Sequence, residues 1–328
     1  MSIDSIVKIS IETQSLSMAQ KGFGVPLILG FKEAEKASVE MYRNAGELPD
    51  GSHASYKMAK AVFSQNPTVP LLKIAFAKNG FSLSEALKSI LDIESDFYGV
   101  LLSQTPSAKE LKEAGALLES GRLILGFDVD ATSKDIIKNL KSDRIFCMHN
   151  PSSEECLSAA WMGKMLPEAP GSSSWSYQDL KPVAPYSLSA SIADELDKAH
   201  INRYIGIKGV GVTLDGKMLS GRFIDITRGI DWLHVRIQER LFRLLMINKK
   251  IPYTLKGIDL VRSEILAQLK EAIYQGVLAE DPEPMVSVPT IEEVSEQVRG
   301  DRVLPKVRFS GRLAGAIHKI EIQGTVTV

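Results

Sequence analysis

Between Leu71 and Glu155 the chain repeats one local pattern four times: a short apolar run, then a serine or threonine followed three positions later by an acid. "LLKIAF" precedes Ser82 and Glu85, "FYGVLLS" precedes Ser107 and Glu110, "RLILGF" precedes Thr132 and Asp135, and "RIFCMH" precedes Ser152 and Glu155. The hydroxyl can accept a free N–H of a helix's first turn while the acid reaches back and complements the helix dipole. Apolar strands alternating with capped helices require a mostly parallel sheet with helices over its faces. That pattern excludes all-α and all-β folds.

The same rhythm begins earlier. "VPLILGF" at 25–31 reads as a buried strand, and "SYKMAKAVFSQ" at 55–65 as a helix carrying Tyr56, Ala59, Val62 and Phe63. It ends near "PEAPGSSSWSYQDLKPVAP", whose Pro, Gly and Ser content marks a boundary. The second half reads as α+β. Helix "SIADELDKAH" leads to strand "RYIGIKG" and then to "GVTLDGKMLSGRFIDI", where Asp215-Gly216 predicts a hairpin turn between two strands. Two long helices follow. The first sets Leu233, Ile237, Leu241 and Leu244 on one face; the second sets Ile258, Val261, Ile265, Leu269 and Ile273, with Gly276 as its C-terminal cap. A polar segment, 280–302, precedes the final strands.

Both chain ends alternate with a period of two. At the start, Val7, Ile9 and Ile11 interleave with Lys8, Ser10 and Glu12; at the end, Ile320, Ile322, Val326 and Val328 share a parity broken by Gly324. Each is an amphipathic strand with no hairpin partner on its outer side. The final twelve residues, "IHKIEIQGTVTV", would extend about 40 Å. An exposed strand edge invites another chain, and adding a strand to another sheet supplies both hydrogen bonds and side-chain specificity. Head-to-tail exchange between identical subunits that does not close builds a helical assembly.

At 328 residues the length suggests about two domains. The 39 basic and 40 acidic residues nearly cancel, so no global field favours nucleic acid or an anionic membrane. Apolar runs are far shorter than the ~20 residues that span a bilayer, and Asp4 precedes any basic residue, so no secretory signal is expected. Cys147 and Cys156, both in apolar surroundings, are too few for a disulfide framework or a structural zinc site. They read as core thiols in a reducing environment.

Motifs for chemistry are sparse. "GVTLDGKM" matches a phosphate-cradling G-x-x-x-x-G-K but places Met218 where magnesium needs a hydroxyl, and it lacks a strand running into a helix. Asp128 and Asp130 follow an apolar strand, where open α/β sheets place ligands, and His149 ends the next strand as a possible third metal ligand. An acid there more often serves a loop or a helix N-terminus. His53, His200, His234 and His318 show no ligand spacing, and no nucleophile motif is present. On the first long helix Arg236, Arg240 and Arg243 share a face opposite the leucines, with Lys249 and Lys250 just beyond. This stripe is either a solvated face, with Glu239 and Asp231 nearby, or a dock for an acidic partner.

Taken in order, "VPLILG", "SYKMAKAVFSQNP", "FYGVLLS", "AAWMGKMLPEAPGSSSWSYQDL", "NRYIGIKGVGVTLDGKMLSGRFIDITRGIDWLHVRI", "KIPYTLKGI" and "GRLAGAIHKIEIQGTVTV" resemble contractile-tail sheath proteins, in particular the compact branch from phages. The resemblance runs from about residue 25 to 328, and long inserted domains of larger sheaths are missing. It implies an outward α/β domain over 17–185, a smaller inward α+β domain over 186–305, and strand arms at 1–16 and 306–328 that reach into neighbouring subunits. The arms would hinge at "QSLSMAQKG" and near "LAGA". It further implies a structural subunit, not an enzyme. Such subunits form hexameric rings stacked around a tail tube, and contraction drives the tube through the host envelope. Partners would be other copies, the tube, baseplate and tail terminator proteins, with no nucleic acid, membrane insertion or cofactor. Its place would be the virion, assembled in the bacterial cytoplasm. Arg236, Arg240, Arg243 and Lys249 are the expected tube-facing residues. An α/β nucleotide- or metal-dependent enzyme and another self-assembling tail component are the alternatives.

Overall fold

The computed structural model describes residues 22–33, 35–130, 137, 139–152 and 155–326. The N-terminal alternation at Val7, Ile9 and Ile11, the Thr132 and Asp135 cap, and Val328 lie outside them.

The strands of the first half are β1 (Pro26–Lys32), β2 (Ser38–Tyr42), β3 (Leu72–Lys78), β4 (Gly99–Leu102), β5 (Ile124–Val129) and β6 (Ile145–His149). They form one six-stranded sheet in the order β2-β3-β1-β4-β5-β6. All neighbours pair in parallel except β2, which runs antiparallel to β3 at one edge. Alternate residues of each parallel strand enter two separate cores. Ile28, Ile74, Phe76, Leu101, Ile124 and Phe146 point into one, and Leu27, Ala75, Val100, Leu125 and Cys147 into the other. Burial on both faces is why these strands read as unbroken apolar runs.

Helices α1 (Ala54–Phe63) and α4 (Leu157–Met165) line the first core. Helices α2 (Leu83–Leu91) and α3 (Ala108–Gly121) line the second. Two of the expected capping boxes form. Ser82 Oγ accepts the Glu85 N–H at 3.3 Å while the Glu85 carboxylate accepts the Ser82 N–H at 2.8 Å. Ser107 and Glu110 repeat the arrangement at 3.3 and 2.8 Å. The Ser152–Glu155 box does not cap α4, which begins later at Leu157. Its first amides are instead satisfied by Asp128 across the sheet end.

The second half holds α5 (Ala190–Lys198), the antiparallel pair β7 (Arg203–Ile207) and β8 (Val210–Leu214), then α6 (Ile224–Ile247) and α7 (Leu255–Tyr274). A short antiparallel pair follows, β9 (Met285–Ser287) with β10 (Arg308–Ser310), separated by α8 (Glu296–Gly300). The hairpin turn is not at Asp215-Gly216. It lies at Lys208-Gly209, where φ is 49° and 84°, the left-handed pair that a two-residue turn requires. Asp215-Gly216 is also left-handed, but it leads through a single Lys217–Phe223 bridge into α6, so "FIDI" opens a helix and is not a strand.

Charged residues on α6 join it to the sheet domain. Asp231, expected on a solvated face, is fully buried: Tyr98 donates to its carboxylate at 2.8 Å and Arg144 pairs with the same oxygen. Burial, then the Asp231 charge, pushes the Tyr98 phenol well up. Arg228, one turn earlier, donates to the carbonyls of Met165, Leu166 and Glu168 at and just past the end of α4. Leu233, Ile237 and Leu241 of α6 and Val261, Ile265, Leu269 and Ile273 of α7 pack onto the first core.

Candidate assembly surfaces

The C-terminal segment is held, then released. Leu313 bridges Leu278, the Ala279 N–H donates to the Arg312 carbonyl at 2.7 Å, and the Ala314 N–H donates to the Val277 carbonyl at 3.1 Å. His318 then packs between Tyr177 and Phe223. Beyond it the chain carries no helix or strand through Val326. Ile317, Ile320, Ile322 and Val326 are 83%, 78%, 87% and 96% exposed. An exposed apolar set of this kind costs about 25 cal/mol per Å² to leave in water. Among the described residues nothing covers it.

The α6–α7 hairpin divides the basic residues into two kinds. Arg236 donates to Glu239 at 2.6 Å and lies 5.7 Å from the Phe23 ring centre. Arg240 turns toward α7, with Nε 2.6 Å from Gln268 Oε1 and Nη2 2.6 Å from Glu271 Oε2. It therefore seals the helix pair and does not share a free face with the others. Arg243, Lys249 and Lys250 are exposed at the hairpin's far end. Phe242, Leu245, Met246, Ile247 and Leu255 are exposed there too. Sequence reading missed this apolar tip. The signal was the run "LFRLLMI", too continuous for one buried stripe.

At the carboxyl end of the sheet a cavity of about 580 Å³ is lined by Ser103, Asp128, Asp130, Asn150 and Ser158 among others. Asp128 accepts the N–H groups of Leu157 at 3.0 Å and Ser158 at 2.7 Å and the Asn150 amide at 3.0 Å. Burial lifts its pKa while these donors oppose the shift. His149 Nδ1 lies 3.0 Å from the Tyr186 hydroxyl, which donates to the His149 carbonyl at 2.6 Å. Among the described residues no group of three His, Cys, Asp or Glu side chains is placed to hold a metal. Asp128 thus serves the N-terminus of α4, the commoner role for an acid at that position. Cys147 is buried, which pushes its thiol up, and no described helix is long and apolar enough to cross a membrane.

The hairpin also carries a family match. Residues 224–282, spanning α6, α7 and the segment after them, match the family described as E217 tail sheath protein gp31-like, C-terminal domain. The whole fold recurs in solved structures. An extracellular contractile injection system sheath in its contracted state (PVC) superposes with a TM-score of 0.72 at 13% identity, over 97% of this chain and 96% of that one. Segment and fold together support the contractile tail sheath family. The anti-feeding prophage helical sheath, also contracted, gives 0.69 at 14% identity over 97% and 98% of the two chains. A sheath tail protein from Desulfitobacterium hafniense gives 0.55 at 9% identity over 85% and 93%. No curated protein matches the sequence. The sheath fold accounts for the six-stranded, mostly parallel sheet and the smaller sheets beside it.

Proposed function

We propose that the chain is the subunit of a contractile sheath that stacks as hexameric rings around a tail tube and contracts to drive the tube through a host envelope. The observation that carries this reading is the exposed alternation at Ile320, Ile322 and Val326 on a segment that, among the described residues, pairs with no strand of its own subunit. In a polymer each such strand would join a neighbour's sheet. The β7–β8 pair is a two-stranded sheet, marginal by itself and extended by added strands. The N-terminal strand, about residues 5–12, would act in the same way. The division into an arm over 1–16, an outer domain over 17–185, an inner domain over 186–305 and an arm over 306–328 belongs to this reading.

The partners are further copies of the chain, a tube, and baseplate and terminator proteins at the ends. A six-fold symmetrised baseplate of the anti-feeding prophage contains a chain of this fold, with a TM-score of 0.69 at 16% identity. The tube side is the α6–α7 hairpin, with Arg243 and Lys249 as its exposed cations and Arg236 and Arg240 behind them. The work is mechanical and uses no cofactor; the particle is a virion assembled in the bacterial cytoplasm. The purified protein, viewed by electron microscopy, should form long hollow tubes. Deleting residues 318–328 should leave a folded monomer that forms none; normal, contracting tubes from the truncated chain would refute the proposal.

A further inference from the structure

The resemblance of the C-terminal segment to a strand arm suggests a hinge near Leu313–Ala316, yet that stretch is tied down on both sides. Upstream, the Arg312 carbonyl and the Ala314 N–H are bonded to Ala279 and Val277, just beyond the end of α7. Downstream, His318 sits in a socket built from two other segments. Its Nε2 lies 2.8 Å from Ser174 Oγ, and its carbonyl accepts the Tyr177 hydroxyl at 2.6 Å. The ring meets Tyr177 edge-on at 5.9 Å and Phe223 at 4.8 Å, with interplanar angles of 88° and 90°. Gly315, at φ 65°, provides the left-handed turn between the two attachments. From Lys319 to Val326 every residue is exposed.

We infer that residues 312–318 are a fixed mount on the subunit's own body, and that the arm pivots after His318. The mount is a property of the single chain; only the arm's use in a polymer rests on the sheath reading. His318 is then a positioning residue. It sets the point and direction from which residues 319–328 leave the body, a reach of about 35 Å when extended. Tyr177 and Ser174 anchor it from the loop between α4 and α5, and Phe223 from the start of α6, so the exit point is tied to both halves of the chain.

The test uses the full-length subunit kept monomeric, below the concentration at which it polymerises. Backbone order parameters should stay near about 0.8 through His318 and fall below about 0.6 from Ile320 onward. His318→Ala should move that boundary back toward Leu313 and speed amide exchange at Ala314 by about tenfold. His318→Gln, whose amide can still meet the Ser174 hydroxyl, should restore most of the protection. Order parameters that already fall at Leu313 in the parent, or a boundary unmoved by His318→Ala, would overturn the mount. None of these readouts needs a polymer, so a subunit with an intact mount that forms no tubes would count against the sheath reading alone.

Discussion

Arg228 Nη2 donates to the Leu166 carbonyl at 2.7 Å, tying the first turns of α6 to the C-terminal end of α4. The same guanidinium reaches the carbonyls of Met165 at 2.8 Å, Glu168 at 2.6 Å and Phe23 at 3.3 Å. Burial drags its pKa down to about 10, so it remains charged at neutral pH. Three of these carbonyls lie at or just past the end of α4 and the fourth, Phe23, just before β1; without the guanidinium all four would lose this donor. Arg228→Met should lower the unfolding free energy by about 3 kcal/mol, with Arg228→Lys intermediate. Urea denaturation midpoints measure this, and a loss under about 1 kcal/mol would mean that other donors replace the guanidinium.

The basic residues of α6 and the turn after it should separate by function under charge reversal. Arg240→Glu faces Glu264 and Glu271 and should cost the monomer about 1 kcal/mol, a modest figure because the pair is partly solvated. Arg243→Glu and Lys249→Glu should leave monomer stability within about 0.5 kcal/mol. In cosedimentation with tubes the latter two should weaken association while sheath polymerised alone is unaffected. Equal binding by all variants would assign this end of the hairpin to solvent or to sheath–sheath contacts.

Gly163 sets the approach of α4 to α1. A Cβ there would lie 2.7 Å from both Cα and the carbonyl oxygen of Val62, and a backbone cannot yield as a side-chain tip does. Gly163→Ala should therefore destabilise by about 2 kcal/mol or more, despite the better helix propensity of alanine. A thermal melt within a degree of the parent would show that the helices separate freely.

His234 predicts the direction of a pH effect. Burial, and then the Arg122 charge, lower its pKa, and Arg122 Nη2 lies 2.9 Å from its Nε2. As pH falls, the unfolded chain takes up this proton first, near pH ~6.5. Stability from this group is thus complete above that value and declines as pH falls toward the lower folded value. His234→Gln should flatten this part of the profile in denaturant titrations between about pH 7 and 5. An unchanged slope would place the proton elsewhere.

Much of this was legible from residue order. The strand runs, two capping boxes and both long helices follow from local periodicity and capping, which depend only on near neighbours in the chain. Edge strand β2 escaped notice because "SVEMY" is brief and only half-buried. The cap of α4 was misplaced because its acceptor, Asp128, lies far away in sequence.

By itself the sequence determined that a mostly parallel sheet is covered by capped helices and that both chain ends alternate with a period of two. Tertiary structure alone decided what each charge does. Arg228 and Asp231 lie on the same helix as Arg243, yet the first two are buried against α4 and β4 and the last meets water. Local periodicity assigns a residue to a face of its own helix. Whether that face meets carbonyls, a tyrosine or solvent depends on segments distant in the chain, brought there by packing of the core.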